Sequence, residues 1–214
     1  MFGLDDTRMW TSGGKEYQIQ DSIQVYLDQS TYQVVSSAFP YLVNTKTATG
    51  SGDVAQTEFI IFEAGKPITL FGELKVDAFQ VQHGFHSDGS EYFANGFRIK
   101  DISYISDTSF VNENALEKIK DSQILVIDGL RPTHHVSHLG FDEALEVCKK
   151  SLVKGGLGYF TGMGHNLTHD EINHFARENL KGLDISVEAA YDGLCVSIEQ
   201  EQEDDDQNKR QKRS

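Results

Sequence analysis

The second half of the sequence alternates apolar strands with amphipathic helices, and this alternation limits the possible folds more than any other feature. Residues 124–127 are all apolar, which is typical of a strand buried on both faces. The same periodicity predicts helices over 113–120, 141–152 and 168–180, and another strand over 157–161. Thr168 and Glu171 fit a capping box at the start of the last helix. Helices are therefore expected to cover a sheet.

The first half reads mainly as strands. Alternation of apolar and polar residues predicts a strand over 23–27, followed by a short helix over 31–39 that ends before Pro40. A loop is predicted over 45–56, which is rich in Thr, Gly and Ser. Further strands are predicted over 58–63, 68–70, 74–82, 92–99 and 102–106, and two more, 185–188 and 194–198, end the fold. The predicted fold class is mixed α/β (α+β), with sheet and helix layers.

The chain of 214 residues is long enough for one domain with a substantial core, which we place over 1–198. Residues 199–214 contain an acidic run and then the basic cluster 209–213, without an apolar residue to anchor them. We predict that this tail is disordered. The basic cluster has two interpretations, a solvated terminus or a nuclear-import signal, and the first is favoured.

Composition restricts the functional class. The net charge of −14 repels nucleic-acid backbones and argues against an extended nucleic-acid surface, although it allows a small phosphorylated substrate held by a local cation. No run of about 20 apolar residues suggests a membrane span, and no signal peptide is apparent. Cys148 and Cys195 are far apart and are predicted to be buried, reduced thiols. A cytoplasmic location is expected, with nuclear entry if the basic cluster acts as a signal.

All eight histidines lie between His83 and His174, and three potential metal ligands follow predicted strands. These are His83, Asp107 and His165. Imidazole and carboxylate suit zinc, iron or manganese, and loops at strand ends commonly carry catalytic residues. Each residue alone is more simply a polar residue at a turn, but the three together favour a metal site.

His138 stands just before the predicted helix at 141–152 and has two interpretations. Its imidazole can face an anion together with free backbone N–H groups, or it can simply bond to the backbone at the helix entry. His134 and His135 lie in the same loop. No nucleotide-binding glycine motif and no serine-hydrolase motif occurs.

The order of six short motifs resembles the metallo-β-lactamase superfamily. They are Gly3-Leu4-Asp5-Asp6, Val81-Gln82-His83-Gly84, Tyr104-Ile105-Ser106-Asp107, Ser137-His138-Leu139, Thr161-Gly162-Met163-Gly164-His165 and Tyr191-Asp192-Gly193-Leu194. Within the superfamily, the chain is similar to the phosphonate-pathway cyclic phosphodiesterase branch. The resemblance covers residues 1 to about 198. One departure is that bacterial members often have T-H-x-x-H where this chain keeps only the second histidine, His165.

The resemblance implies an αββα sandwich with two divalent metal ions, most simply zinc, with manganese or iron as alternatives. His83 would ligate the first metal, His165 the second, and Asp107 would bridge both. His138 would approach the substrate phosphate and protonate the leaving group. Two ions about 4 Å apart polarise phosphoryl oxygens and supply hydroxide near neutral pH. The expected partner is a small phosphorylated substrate, and a homodimer is compatible with the family.

The family's H-x-H-x-D motif, which supplies most ligands of the first metal, would come just before Gly3-Leu4-Asp5-Asp6, where this chain has only Met1-Phe2. Three interpretations are open. The sequence is an incomplete form of an active phosphodiesterase, or a truncated non-catalytic paralogue that acts as a binding protein, or a one-metal hydrolase. We favour the first over the second, because the other motifs still carry residues with ligand chemistry that a non-enzyme would be free to lose. We rate the third lowest, because a metal centre needs more ligands. For the chain as given, we expect weak metal retention and no measurable turnover.

Overall fold

The computed structural model describes residues 2–12, 18–48 and 52–197. Within these residues the strands are β1 (Ile23–Leu27), β2 (Thr57–Ile61), β3 (Pro67–Leu70), β4 (Leu74–Phe85), β5 (Glu91–Ile99), β6 (Ile102–Ile105), β7 (Ser122–Asp128), β8 (Leu152–Thr161) and β9 (Ile185–Ala189). The helices are α1 (Arg8–Thr11), α2 (Gln29–Ala38), α3 (Pro40–Val43), α4 (Glu113–Ile119), α5 (Phe141–Ser151) and α6 (His169–Asn179). Short 3-10 helices occupy Phe2–Thr7 and Thr45–Thr47.

The strands form two sheets. The smaller one pairs β1 with β2 in parallel, and the larger one has seven strands in the order β3-β4-β5-β6-β7-β8-β9. Pairing is antiparallel from β3 to β6 and parallel from β6 to β9. The change follows the sequence, because hairpins join the first strands whereas helical crossovers join the later ones.

Helices α4, α5 and α6 cover one face of the large sheet. The core between them contains Ile119, Phe141 and Ile172 from the helices and Leu125 and Phe160 from the sheet, all buried. In β7, Leu125 and Ile127 point toward the helices and belong to this core. This layer arrangement confirms the predicted α/β fold class.

The small sheet lies on the other face, over the antiparallel part of the large sheet. Phe62, just after β2, packs with Ile68, Val76 and Ala78 in a second apolar cluster. The end of β1 is tied to β5 by a hydrogen bond of 2.6 Å from Asn95 Nδ2 to Asp28 Oδ2. Two sheets with helices outside them therefore make up this part of the chain.

Local sequence signals explain several element ends. The predicted capping box at α6 is present, because the Glu171 carboxylate accepts from the Thr168 N–H at 2.9 Å and the Thr168 hydroxyl accepts from the Glu171 N–H at 3.3 Å. At α5 the Glu143 carboxylate accepts from the Gly140 N–H at 2.7 Å. Fixed helix starts matter here because the loop before α5 carries His138 and the loop before α6 carries His165.

Some predictions differ from the structure. Residues 194–197 form no strand, and a turn in which the Leu194 N–H binds the Tyr191 carbonyl begins this irregular segment. Cys148 is buried as expected, but Cys195 is exposed on this irregular segment. The charged tail at 199–214 lies outside the described residues. Among the described residues, no helix combines the length and apolar character needed to cross a membrane.

Candidate metal centre

His83 lies inside β4, two residues before its end, where the pairing with β5 is irregular between Gln82 and Phe85. The backbone there also pairs with the segment after β6, since the Ser109 N–H binds the Gln82 carbonyl at 2.7 Å. The Ser109 hydroxyl accepts from the Gly84 N–H at 2.9 Å. This anchoring holds His83 at the edge of the sheet although the regular ladder is interrupted.

Gly84 allows the loop before α5 to approach His83. Its φ of +84° lies in the left-handed region, and a Cβ atom there would be 3.3 Å from the Ser137 Cβ. Close approach brings the Ser137 carbonyl to 2.7 Å from His83 Nδ1. A carbonyl can only accept, so Nδ1 carries the proton and Nε2 keeps its lone pair for a metal ion.

Asp107 lies two residues after the end of β6 and is partly buried. Its carboxylate makes no hydrogen bond or ion pair with the described residues. Metal-ligating carboxylates need free lone pairs, and the parallel strands β6, β7 and β8 end at the same edge of the sheet. Asp107 is therefore placed beside the residues that follow those strands.

His138 is held by Asp128, the last residue of β7. Asp128 is fully buried, and its Oδ2 atom accepts from the Thr108 N–H at 2.9 Å and from His138 Nδ1 at 2.8 Å. Oδ1 of the same carboxylate has no partner among the described residues. Burial raises the pKa of the Asp128 carboxyl, while its hydrogen bonds act in the opposite direction. His138 thus has a fixed ring orientation and a free Nε2.

These residues converge. One potential ligand atom each from His83, Asp107 and His138 lies within 4.8 Å of the other two. The His83 and His138 rings meet edge to face with centroids 5.0 Å apart. Two imidazoles and a carboxylate fit a divalent ion, and each imidazole has the outer hydrogen bond typical of metal-ligating histidine. Two arrangements fit this geometry. Either all three residues ligate one ion, or His83 and Asp107 ligate the ion and His138 faces a further molecule bound to that ion.

His165 is not a member of this group. It lies in an exposed turn after β8, within the loop that begins at Gly162. This loop packs on the end of β7, since the Gly164 N–H binds the Leu130 carbonyl at 2.8 Å and a Cβ on Gly162 would be 3.3 Å from Asp128 Oδ1. His165 therefore lies at the same edge of the sheet, and its role as second-metal ligand stays a prediction.

Other histidines have local partners. His134 Nδ1 lies 2.8 Å from the Glu143 carboxylate, and His169 Nε2 lies 3.0 Å from the Ala190 carbonyl. His86 packs edge to face on Tyr92, whose ring also contacts His83. Tyr92 and His86 line a groove of about 680 Å³ between α2 and the β4–β5 hairpin. This groove adjoins the candidate centre through the Tyr92 ring, which contacts His83.

Sequence reasoning did not identify Asp128 or the Ser137 carbonyl as supports of the site. A carboxylate directly after the apolar residues 124–127 was the available signal for Asp128, because an acid at the end of a buried strand needs a specific partner. No side-chain signal exists for a backbone carbonyl such as that of Ser137.

A family model, the beta-lactamase superfamily domain, matches residues 3–154. The chain belongs to the beta-lactamase superfamily. This membership and the observed layers confirm the resemblance and the metallo-β-lactamase fold that the motifs predicted. No curated protein matches the chain.

Solved structures agree with this assignment. A diphosphatase from the PhnP family is 26% identical with a TM-score of 0.69, and the match covers 92% of this chain but 66% of that one. Zinc-bound PqqB from Methylobacterium extorquens is 15% identical with a TM-score of 0.59, covering 83% of this chain and 65% of that one. Unliganded yeast PDE1 is 12% identical with a TM-score of 0.60, covering 84% and 61%. The last two show the fold alone, and this chain spans about two thirds of the length of all three.

Proposed function

We propose that this protein is a metal-dependent hydrolase that cleaves a small phosphodiester substrate. The convergence of His83, Asp107 and His138, with both imidazoles oriented through their Nδ1 atoms, carries this proposal. Similarity to a PhnP-family diphosphatase and membership of the superfamily support the reaction class. The net charge of −14 favours a small substrate over an extended nucleic acid.

In this proposal His83 and Asp107 hold a divalent ion, with zinc as the first choice and manganese or iron as alternatives. Asp107 has two free carboxylate oxygens and is suited to bridge toward a second ion, for which His165 is the proposed ligand. Bound ions would polarise the phosphoryl oxygens and lower the pKa of a coordinated water. The protein supplies the rigid sheet edge on which these donors are held.

His138 is proposed as the general acid. Its Nδ1–H is fixed by the buried Asp128 carboxylate, so its protonated Nε2 can give a proton to the leaving oxygen of the substrate. The Asp128 carboxylate stabilises the imidazolium and fixes the ring direction, as an orienting acid does in a catalytic triad. His138 belongs to the donor group in space, but it acts on the substrate.

A second candidate function is a non-catalytic binding protein. Within the described part of the chain, the detected donor group has three members, fewer than a two-metal centre requires.

We propose accordingly that the chain by itself retains metal weakly and shows no measurable turnover, and that hydrolysis belongs to a form with the complete ligand set.

The two candidates differ in the behaviour of the endogenous protein, captured through an antibody to its C-terminal half and supplied with zinc or manganese. A hydrolase cleaves an aryl phosphodiester, and Asp107→Ala introduced into the gene abolishes turnover by removing the metal carboxylate. Asp184→Ala is the matched control, because Asp184 is exposed just before β9, at the end of the parallel strands opposite to the site. Unchanged turnover in Asp107→Ala would overturn our metal assignment, and an inactive endogenous protein would favour the binding protein.

A further inference from the structure

Arg131 lies in the loop between β7 and α5, the loop that also carries His138. Its guanidinium folds onto its own loop, with Nη2 2.9 Å from the His134 carbonyl and Nε 3.4 Å from the Thr133 carbonyl. The bond to His134 reaches the peptide that joins His134 to His135. The centroids of the His135 and His138 rings are 5.4 Å apart, so His135 lies between Arg131 and the candidate centre.

No acid neutralises Arg131 within the described residues. Glu143, in the first turn of α5, uses Oε1 for His134 Nδ1 at 2.8 Å and Oε2 for the Gly140 N–H at 2.7 Å. Five other cations do pair with acids, Arg8 with Asp5, and Lys66, Lys120, Lys149 and Lys181 each with the glutamate three residues before them; among the described residues Arg98 and Arg177, like Arg131, have no ion pair. Arg131 is exposed and keeps free N–H donors on Nη1.

The chain has a net charge of −14, so a guanidinium without an acidic partner beside the proposed phosphoryl-transfer centre is a local positive charge that can attract an anion. Two carbonyls of its own loop restrict the side chain without consuming its charge, which lowers the entropy lost on binding an anion. Guanidinium groups bind phosphate with two parallel hydrogen bonds, a geometry that lysine does not reproduce. The large groove on the other side, lined by Asp28 and Glu91, contains no lysine or arginine and does not suit a second anion.

We infer that Arg131 binds a second phosphoryl group of the substrate, next to the one that is attacked, so that the preferred substrate class is a diphosphate-linked diester. This inference rests on the proposed hydrolase function and deepens it. In the reaction the oxygen of water forms a bond to one phosphorus atom and the bridging P–O–P bond breaks. The leaving phosphate, held by Arg131, takes a proton from His138, and the products are two phosphate monoesters.

Binding to the metal-free chain tests the role of Arg131 without any turnover. Inorganic pyrophosphate is titrated against the chain and followed by NMR signals of the histidine rings. Arg131→Gln should weaken pyrophosphate binding roughly tenfold, the usual cost of losing a charge-assisted bidentate contact. Arg131→Lys keeps the charge and should lose only part of the affinity. Arg177→Gln removes the same charge from the exposed side of α6 and should change binding less than twofold.

Unchanged histidine spectra in the absence of ligand show that the loop is intact in each variant. Equal affinity in wild type and Arg131→Gln, or equal losses in Arg131→Gln and Arg177→Gln, would overturn the inference. In the active endogenous protein, Arg131→Gln should raise KM for a bis-aryl diphosphate at least fivefold and leave KM for bis(p-nitrophenyl) phosphate unchanged. Asp107→Ala should abolish hydrolysis of both substrates but keep pyrophosphate binding to the metal-free chain. This result separates the proposed metal site from the proposed phosphate contact of Arg131.

Discussion

Single residues decide what the metal centre can do, and His138 shows this most clearly. It lies within the donor group of His83 and Asp107, yet its orientation by Asp128 also suits a general acid. Loss of a histidine that ligates the ion weakens metal binding. Loss of a histidine that protonates the leaving oxygen removes turnover but leaves metal binding largely intact. Comparing His83 with His138 therefore distinguishes the two roles.

We expect His83→Gln to weaken zinc binding at least tenfold, because it removes a ligand. His138→Gln should change zinc affinity less than threefold but abolish turnover of the endogenous protein, because the proton donor is lost. Competition with a chromophoric chelator measures the affinities, and aryl phosphodiester hydrolysis measures turnover. A loss of zinc affinity in His138→Gln as large as in His83→Gln would make His138 a ligand and contradict the acid assignment.

The two cysteines provide a second test at this scale. Complete burial raises the pKa of the Cys148 thiol to about 12, so its thiolate, the reactive form, is scarce at neutral pH. Cys195 is exposed. Iodoacetamide should therefore modify Cys195 in the native protein, and Cys148 only after unfolding in urea, as read by intact mass. Equal labelling of both thiols in the native protein would show that the helix-covered core is open.

At the scale of elements, the close contact between β4 and the loop before α5 brings His83 and His138 together. Gly84 makes this contact possible, since its φ is +84° and a Cβ would meet Ser137 at 3.3 Å. Gly89, in the β4–β5 turn, has the same φ of +84° with nothing within 4 Å of a Cβ. A Cβ would therefore be strained by the backbone at both glycines, but would meet the loop before α5 only at Gly84.

Gly89→Ala should lower the free energy of unfolding by about 1–2 kcal/mol through left-handed backbone strain alone. Gly84→Ala should cost more, by roughly a further 1 kcal/mol, because the Ser137 loop must move. It should also disturb the His83 and His138 NMR signals, which Gly89→Ala should leave unchanged. Urea unfolding gives the energies, and equal costs with equal spectra would mean that the loop does not depend on this contact.

The elements also show what the sequence can predict. Strand β1 has its predicted bounds, and α6 starts where its capping box indicated, because periodicity and caps are local signals. The segment 194–197 alternates like a strand but pairs with none, since pairing depends on tertiary position. For the site, His83, Asp107 and His165 stood out by residue type and position near strand ends, and His138 by its position before a helix, but of these only His83, Asp107 and His138 fall in one group. Asp128 did not, because burial of a carboxylate depends on the fold.

At the scale of the whole molecule, the parallel half of the large sheet is less well covered than the antiparallel half. Its second face includes Ile102 and Tyr104 of β6, which are 38% and 43% exposed. Parallel sheets are normally covered on both faces. In the part of the chain that the structure describes, the small sheet packs on the side near β3, β4 and β5.

Metal binding by the whole chain follows from this incomplete centre. The two ligands proposed for the first ion, His83 and Asp107, should retain zinc weakly, so desalted protein should contain well below two zinc ions per chain by elemental analysis. Binding to the folded state alone stabilises by RT ln(1 + [Zn]/Kd), which is about 0.4 kcal/mol when zinc equals Kd and about 2.7 kcal/mol at a hundredfold excess. For a chain of this size these gains correspond to Tm increases of about 1 °C and roughly 5–11 °C.

We therefore expect zinc equimolar with the protein to change Tm by less than about 2 °C, and a large excess to raise it further. His83→Gln should remove this increase, whereas Asp184→Ala should keep it, which separates the site from nonspecific zinc binding to an acidic chain. Two zinc ions retained through desalting, with a large increase in Tm at equimolar zinc, would contradict weak retention. That result would require the chain to hold a complete centre, with His165 moved from its exposed turn into the ligand set.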